Sequence, residues 1–384
     1  MTDLETTTTG GRTRAPVSEQ WHGLADEYEV LPSPELAAEL RRYWARAQGE
    51  ASALVKRAEA AGASGTEEGR REQDFILRNI AREHLPEHIV RRHQSSMRMG
   101  SSFQAEMAKQ YQVAKAVLQH GGHSPGNVVL TQKSLGQRFA RRLGLPVPEL
   151  LSRSAPLSEL VLQADTVIKP VRGSGSTGVF IVNAEDDIFE VRQNKRHRSF
   201  DSMLKRAAKL ETKLGVDRWQ VEQLLRSPTG SIPPSDLKFY TFYGQVGLVL
   251  EVDRSDGSLY CWYDRSGQLV ETGKYSDKLF HGSGFPEGSI EEIEEVSLKI
   301  PTPFMRIDTF LTDNGLVYGE FTARPGGYDQ FSLAADRLLG DMFVKAEARL
   351  YADMIARKHY PEYVSHAESW LTRRDKARAR GGAT

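Results

Sequence analysis

The chain has 384 residues, 39% apolar and 27% charged, near globular values once its polar ends are allowed for, and enough for one large core or two to three smaller ones. Lys plus Arg and Asp plus Glu are equal at 51 each, so no overall charge points to nucleic acid or an anionic membrane. The single cysteine, Cys261, fits a reducing compartment. With no apolar run near about 18 residues and no secretory pattern at the amino terminus, the expected location is the cytoplasm.

Residues 1–18 are polar and lack periodicity, and read as a disordered tail. From 19 to 120 the pattern is helical. Apolar residues recur at helical spacing from Pro34 through Leu54, then over about 66–80 and about 102–118. His84-Leu-Pro-Glu-His88 spells one zinc-peptidase motif, but Pro86 between the histidines interrupts the continuous helix that such a site needs.

After Gly121-Gly122 the character changes, and 121–345 reads as a body in which strands and helices alternate. Asn127-Val-Val-Leu130 reads as a short strand, and Gln132 to Gly144 as an amphipathic helix stopped by glycine. Thr166 to Val182 contains Gly173, Gly175 and Gly178 in the spacing of a dinucleotide loop. Such a loop must open a helix, whereas Val179-Phe-Ile-Val182 is strand-like, so these glycines join two strands. Backbone N–H groups in a loop of this kind can cover nucleotide phosphates; a flexible hairpin with an exposed Lys169 is the bland alternative.

Arg218 to Leu225 is an apolar strand carrying Glu222. Asp236 to Asp253 alternates around Gly244 as a hairpin and turns Asp236 and Lys238 to one face. The strongest hairpin spans 304–327, where alternating runs flank Asp313-Asn314-Gly315. Its pleat puts Arg306 with Asp308, and Glu320 with Thr322, on one face of each strand. Two carboxylates, a hydroxyl and a guanidinium can then converge. Such hard oxygens suit Mg²⁺ completed by phosphates, and the arginine suits a transferring phosphoryl group; taken alone, the same residues also fit a solvated charged face.

In order, these elements are lysine, lysine with glycine loop, glutamate strand, Asp-x-Lys, Arg-x-Asp and Glu-x-Thr-x-x-Pro-Gly. This series resembles the ATP-grasp superfamily, most of all its teichuronopeptide-biosynthesis-like branch. The likeness is carried by Asp236-Leu-Lys-Phe-Tyr-Thr-Phe-Tyr-Gly, Arg306-Ile-Asp and Gly319-Glu-Phe-Thr through Gly327, with Phe331, Asp336 and Leu339-Gly340 downstream. It spans about 124–345.

The resemblance implies an α/β (α+β) fold of two α+β subdomains clasping ATP: a glycine-loop subdomain at about 150–225 and a metal-binding one at about 226–345. An added helical region precedes them, and a carboxy-terminal helix with a basic tail follows at 346–384. That tail, Arg373 to Arg380, is expected to be a solvated end after a helix of roughly 341–358.

By the same resemblance, Lys133 and Lys169 would reach the nucleotide phosphates, and Arg172, Gly173, Ser174, Gly175, Ser176, Thr177 and Gly178 would cover them. Glu222, Gln223, Leu224 and Leu225 would hold adenine, Asp236 the ribose, and Lys238 a further phosphate. Arg306 would meet the terminal phosphate, and Asp308, Glu320 and Thr322 would ligate Mg²⁺, with Mn²⁺ as the alternative ion. Most of the superfamily has asparagine where this chain has Thr322. Arg324 and His281-Gly-Ser-Gly284 are placed by position to meet the acceptor. The implied activity is carboxylate–amine ligation through an acyl phosphate, on a small-molecule carboxylate and amine, with neither nucleic acid nor membrane as partner. A homodimer is left open, as are a small-molecule kinase and a non-catalytic ATP-binding regulator.

Overall fold

The computed structural model describes residues 34–93, 100–121, 124–171, 176–228, 232–255 and 257–379. The expected tail at 1–18 and loop residues Arg172, Gly173, Ser174 and Gly175 lie outside these. The chain divides into two compact units, residues 1–99 and 100–384.

The first unit is helical. Helix Pro34–Ala63 packs on helix Glu67–Asn79, burying Ala51, Val55 and Ala58 against Ile76, Leu77 and Ile80. Thr66 caps the second helix, its hydroxyl accepting from the Gly69 N–H at 3.0 Å, as hydroxyl residues do at helix starts. A 3₁₀ turn, Arg82–His84, ends before Pro86 and helix Glu87–His93 begins after it, so His84 and His88 do not share a continuous helix.

Helix Phe103–Gly121, grouped with the amino-terminal helices on sequence pattern, belongs instead to the second unit. Its Phe103 and Met107 are fully buried among Tyr240, Phe242, Phe304 and Phe343. The run at Asn127 is also corrected: Gly126–Val129 is one helical turn, with the Leu130 N–H donating to the Gly126 carbonyl at 3.1 Å. A four-residue apolar run has no period of its own, and Val129 and Leu130 are buried equally well from a helix.

Every strand pair of the two sheets in the second unit is antiparallel, so the body is α+β. Strands β1 (Leu150–Ala155), β2 (Thr166–Pro170), β3 (Phe180–Ala184), β4 (Asp187–Glu190), β5 (Lys195–His197) and β6 (Trp219–Gln223) form one sheet in the order 1-6-2-3-4-5. Helix Phe200–Leu214 covers one face, placing Met203, Ala207 and Leu210 on Ile168, Phe180, Trp219 and Val221.

Strands β7 (Asp236–Thr241), β8 (Val246–Asp253), β9 (Leu259–Tyr263), β10 (Met305–Thr312) and β11 (Gly315–Thr322) form the other sheet in the order 11-10-7-8-9. Helices Lys133–Arg142 and Ser289–Leu298 bury one face through Phe139, Ile293 and Val296 on Phe239, Val249 and Ile307. The opposite face carries Tyr240, Leu248, Leu250 and Trp262, and meets helices Phe103–Gly121 and Leu333–Ile355.

Helix Leu333–Ile355 starts earlier than its apolar spacing indicates, because the Ser332 hydroxyl caps it at the Ala335 N–H. A further helix, Pro361–Ala379, carries the backbone through most of the basic run. Among the described residues no helix is long and apolar enough to cross a membrane.

Candidate active site

Strand alternation decides which side chains meet. On β7, Leu237 and Phe239 enter the core beneath the second sheet, which turns Asp236, Lys238 and Tyr240 to the other face. On β10, Met305 and Ile307 go down, and Arg306 and Asp308 come up beside them. The pairing sets Asp308 opposite Lys238 on one side and Glu320 on the other, with Arg306 opposite Thr322. A bulge follows Asp308, so the two strands keep this polar register only at their site end. The turn is closed by Gly315 at φ +94, and the Thr312 hydroxyl donates to its carbonyl at 2.8 Å.

Asp308 is the hub. It is 4% exposed and accepts two bonds from Arg306, Nε at 2.6 Å and a terminal nitrogen at 2.7 Å. Lys238 Nζ adds a third at 2.9 Å. Burial alone would raise its carboxyl, but Arg306 and Lys238 overcome that and hold it at about 2. Lys238 also lies 3.3 Å from Asp236, which Arg254 Nε reaches at 2.8 Å. Burial of Asp236 is likewise outweighed by Lys238 and Arg254, and its carboxyl is lowered.

Glu320 differs. It makes no ion pair or hydrogen bond among the described residues, and burial, then the charge of Asp308, push its carboxyl up. Two carboxylates directly opposite, one of them without a cation in contact, form a site that a divalent ion would relieve. With the Thr322 hydroxyl, 3.3 Å from Arg306, they offer hard oxygen donors that fit Mg²⁺. Among the described residues no group of three His, Cys, Asp or Glu side chains could hold a metal ion. An ion here would therefore need substrate oxygens or water to complete its shell.

Helix Lys133–Arg142 reaches both sheets. Its Phe139 packs under the second sheet, while Lys133 and Gln137, one turn apart, turn toward β2 and β6. Gln137 Nε2 donates to Glu222 at 3.0 Å. Lys133 makes no ion pair among the described residues; burial and then Lys169 lower its ammonium, against the opposing pull of Glu320 and Glu222. Lys169 Nζ lies 2.5 Å from Glu222, to which Gln220 also donates at 2.6 Å. Three donors thus occupy the Glu222 carboxylate, leaving about one acceptor position open, and the ion pair aims Lys169. At the end of β6 the Gln223 and Leu224 N–H groups are taken by the Glu149 and Asp165 carbonyls, Gln223 is exposed, and Leu225 stands just beyond the strand. Of the covering loop, Ser176 and Gly178 are in the left-handed region, at φ 58 and 76, with Thr177 between them.

Sequence pattern misses Lys274, Arg254 and Tyr240. Lys274 is 2% exposed; its Nζ donates to the Gly326 carbonyl at 2.7 Å and stands 5.1 Å from the Phe331 ring centre. Burial and then Arg306 bring its ammonium down to about 8. It lies on a loop, where no periodicity announces a facing, and only Gly273-Lys-Tyr marks it. Tyr240 lies under Arg306, whose guanidinium carbon is 5.9 Å from the ring centre, and burial raises its hydroxyl to about 12. The expected acceptor loop is held elsewhere: Gly284 N–H donates to Glu251 and to Tyr263 at 3.0 Å each.

No curated protein matches the sequence. Among solved structures, the D-alanine–D-alanine ligase from Bacillus anthracis complexed with ATP is 15% identical, aligning 63% of this chain with 76% of that one at a TM-score of 0.37. The ATP-grasp ligase PsnB with a phosphomimetic precursor variant, Mg and ADP is 13% identical, with 70% and 76% covered at 0.35. The D-alanine–D-alanine ligase from Coxiella burnetii is 14% identical, with 60% and 62% covered at 0.33. The model of the TupA-like ATPgrasp family matches residues 115–344, from before Lys133 to beyond the 304–327 hairpin and over more than half of the chain, which therefore belongs to that family.

Proposed function

We propose that the chain is an ATP-dependent carboxylate–amine ligase. The observation that supports this most is the Asp308–Glu320 pair set among Arg306, Lys238 and Lys133, with no nucleophilic side chain joined to a base at its centre among the described residues. Phosphoryl transfer asks for positioning and charge neutralisation rather than a protein nucleophile, and this is what such a set supplies.

Lys133 and Lys169 hold the nucleotide phosphates. Asp236, fixed by Arg254, accepts from the ribose hydroxyls, and Gln223 to Leu225 border the base. Asp308, Glu320 and Thr322 would hold Mg²⁺, which would neutralise phosphate charge there. Arg306, Lys238 and Lys274 present cations to the terminal phosphate. An oxygen of the substrate carboxylate attacks the terminal phosphorus and ADP leaves. The amine nitrogen then attacks the acyl carbon, phosphate departs with the C–O electron pair, and the nitrogen loses its proton.

The test is a matrix of carboxylates and amines incubated with Mg²⁺ and ATP, read by ADP release and product mass. An amide with stoichiometric ADP and phosphate is expected. A phosphate ester would make the protein a small-molecule kinase, and ATP binding with no ADP release across the matrix would make it a regulator.

A further inference from the structure

Resting on the ligase reading, we propose that Arg324, stacked on Tyr111 beside Tyr328, binds a non-reacting carboxylate of the amine substrate. The guanidinium carbon of Arg324 is 4.1 Å from the centre of the Tyr111 ring, and that ring is 6.3 Å from Tyr328. Arg324 is half-buried and has no ion pair or hydrogen bond among the described residues. A guanidinium stays charged and carries five donors. Set over a ring, it can keep N–H groups free, and their fork matches a planar carboxylate.

Apart from Lys133, the site cations named above are engaged. Arg306 holds Asp308, Lys238 lies between Asp236 and Asp308, Arg254 holds Asp236, and Lys274 donates to the Gly326 carbonyl. Arg324 is left over after these pairings, on a short segment fixed at both ends: β11 stops at Thr322, and Gly326 is tied to Lys274. Arg324 stands two residues past Thr322 and two before Gly326, at the edge of the site. An amine that attacks an acyl phosphate arrives on the acyl side, away from the nucleotide. In the proposal Arg324 stands on that side and meets a second, anionic group of that amine.

Tyr111 comes from helix Phe103–Gly121 and precedes the family match, which begins at 115, whereas Tyr328 lies within it. Tyr111 keeps 43% of its surface exposed, so the stack borders open space as well as Arg324. The substrate class is an amine bearing a free carboxylate, such as an amino acid or the amino end of a short peptide.

The experiment offers the full-length protein, with Mg²⁺ and ATP, amino acids and dipeptides as free acids and as carboxy-terminal amides, each against a panel of carboxylates. ADP release and product mass are measured. Wild type is expected to prefer the free acids by about tenfold or more in kcat/KM, the worth of a charged hydrogen-bonded contact. Arg324→Gln should raise KM for the free acids by about tenfold while changing kcat much less, and bring the acid-to-amide ratio near one. Arg324→Lys should recover part of the ratio, and Tyr111→Leu should lower it, each with ATP affinity within about twofold of wild type. Equal use of acids and amides by wild type overturns the subsite, as does an unchanged ratio in both Arg324→Gln and Tyr111→Leu, or discrimination confined to the carboxylate partner. Failure of every pair to release ADP while ATP still binds overturns the ligase reading, and this inference with it.

Discussion

At the scale of residues, the two carboxylates of the hairpin stand opposite each other in different electrostatic states. Asp308 is held by two cations and Glu320 touches none. Asp308→Asn leaves Arg306 and Lys238 short of a counter-charge and is expected to cost about 3 kcal/mol of stability along with substrate-dependent ADP formation. Glu320→Gln should abolish the same ADP formation with stability equal or higher, since it removes a carboxylate that burial and Asp308 disfavour. Chemical denaturation beside the ADP assay checks both; full activity in both variants would remove the metal assignment. Lys274 supplies a pH test. Its ammonium, ordinarily near 10.5, is brought to about 8 in the folded state, so between those values the unfolded chain binds more protons and stability rises with pH. Relative to Lys274→Met, wild type should gain up to about 3 kcal/mol from pH 8 to 10.5, read from urea midpoints; a difference that is flat with pH would show the ammonium unperturbed.

At the scale of elements, helix Phe103–Gly121 is joined to helix Leu333–Ile355 by a contact that only glycine permits. A Cβ on Gly340 would stand 2.0 Å from the Ser101 carbonyl oxygen and 2.8 Å from the Phe103 nitrogen. Around it, the Ser101 N–H donates to Asp341 at 2.9 Å and the Gln104 N–H to Asp336 at 2.8 Å, so two acids of one helix cap the start of the other. Gly340→Ala must push the backbones apart and should cost about 1 to 3 kcal/mol. Because Phe103 and Phe331 pack beside Tyr240, the same variant should weaken the support beneath Arg306 and lower turnover more than ATP affinity. A melting temperature equal to wild type would refute the close approach.

At the scale of the whole molecule, the second unit is two antiparallel sheets with few groups reaching from one to the other at the site. Lys133 is the chief of these, influenced by Lys169 and Glu222 of one sheet and Glu320 of the other. A bound nucleotide supplies the missing anions to both sides at once. Mg²⁺ and ATP at a hundred times Kd should stabilise the protein by about 2.7 kcal/mol, and Lys133→Ala should remove most of that gain at the same concentration. Calorimetric melting with and without nucleotide measures both; an equal shift in the variant would take Lys133 out of the site.

The sequence by itself determined whatever depends on local period and turn chemistry. The 304–327 hairpin, the Asp236/Lys238 face and the strand–loop–strand at Lys169 all follow from alternation around glycine and asparagine turns, because a pleated strand has one way to divide its side chains between faces. It also carried the order of motifs by which the family was legible. Tertiary structure decided what has no period or lies far apart in the chain. The one-turn helix at Asn127 and the allegiance of Phe103–Gly121 depend on which surface buries them. Lys274 and Arg254 reach the site from a loop and a strand end, and Glu222 takes a hydrogen bond from a glutamine 85 residues away. The unequal states of Asp308 and Glu320 arise the same way: identical charges acquire different energies from the cations that the fold brings beside one and withholds from the other.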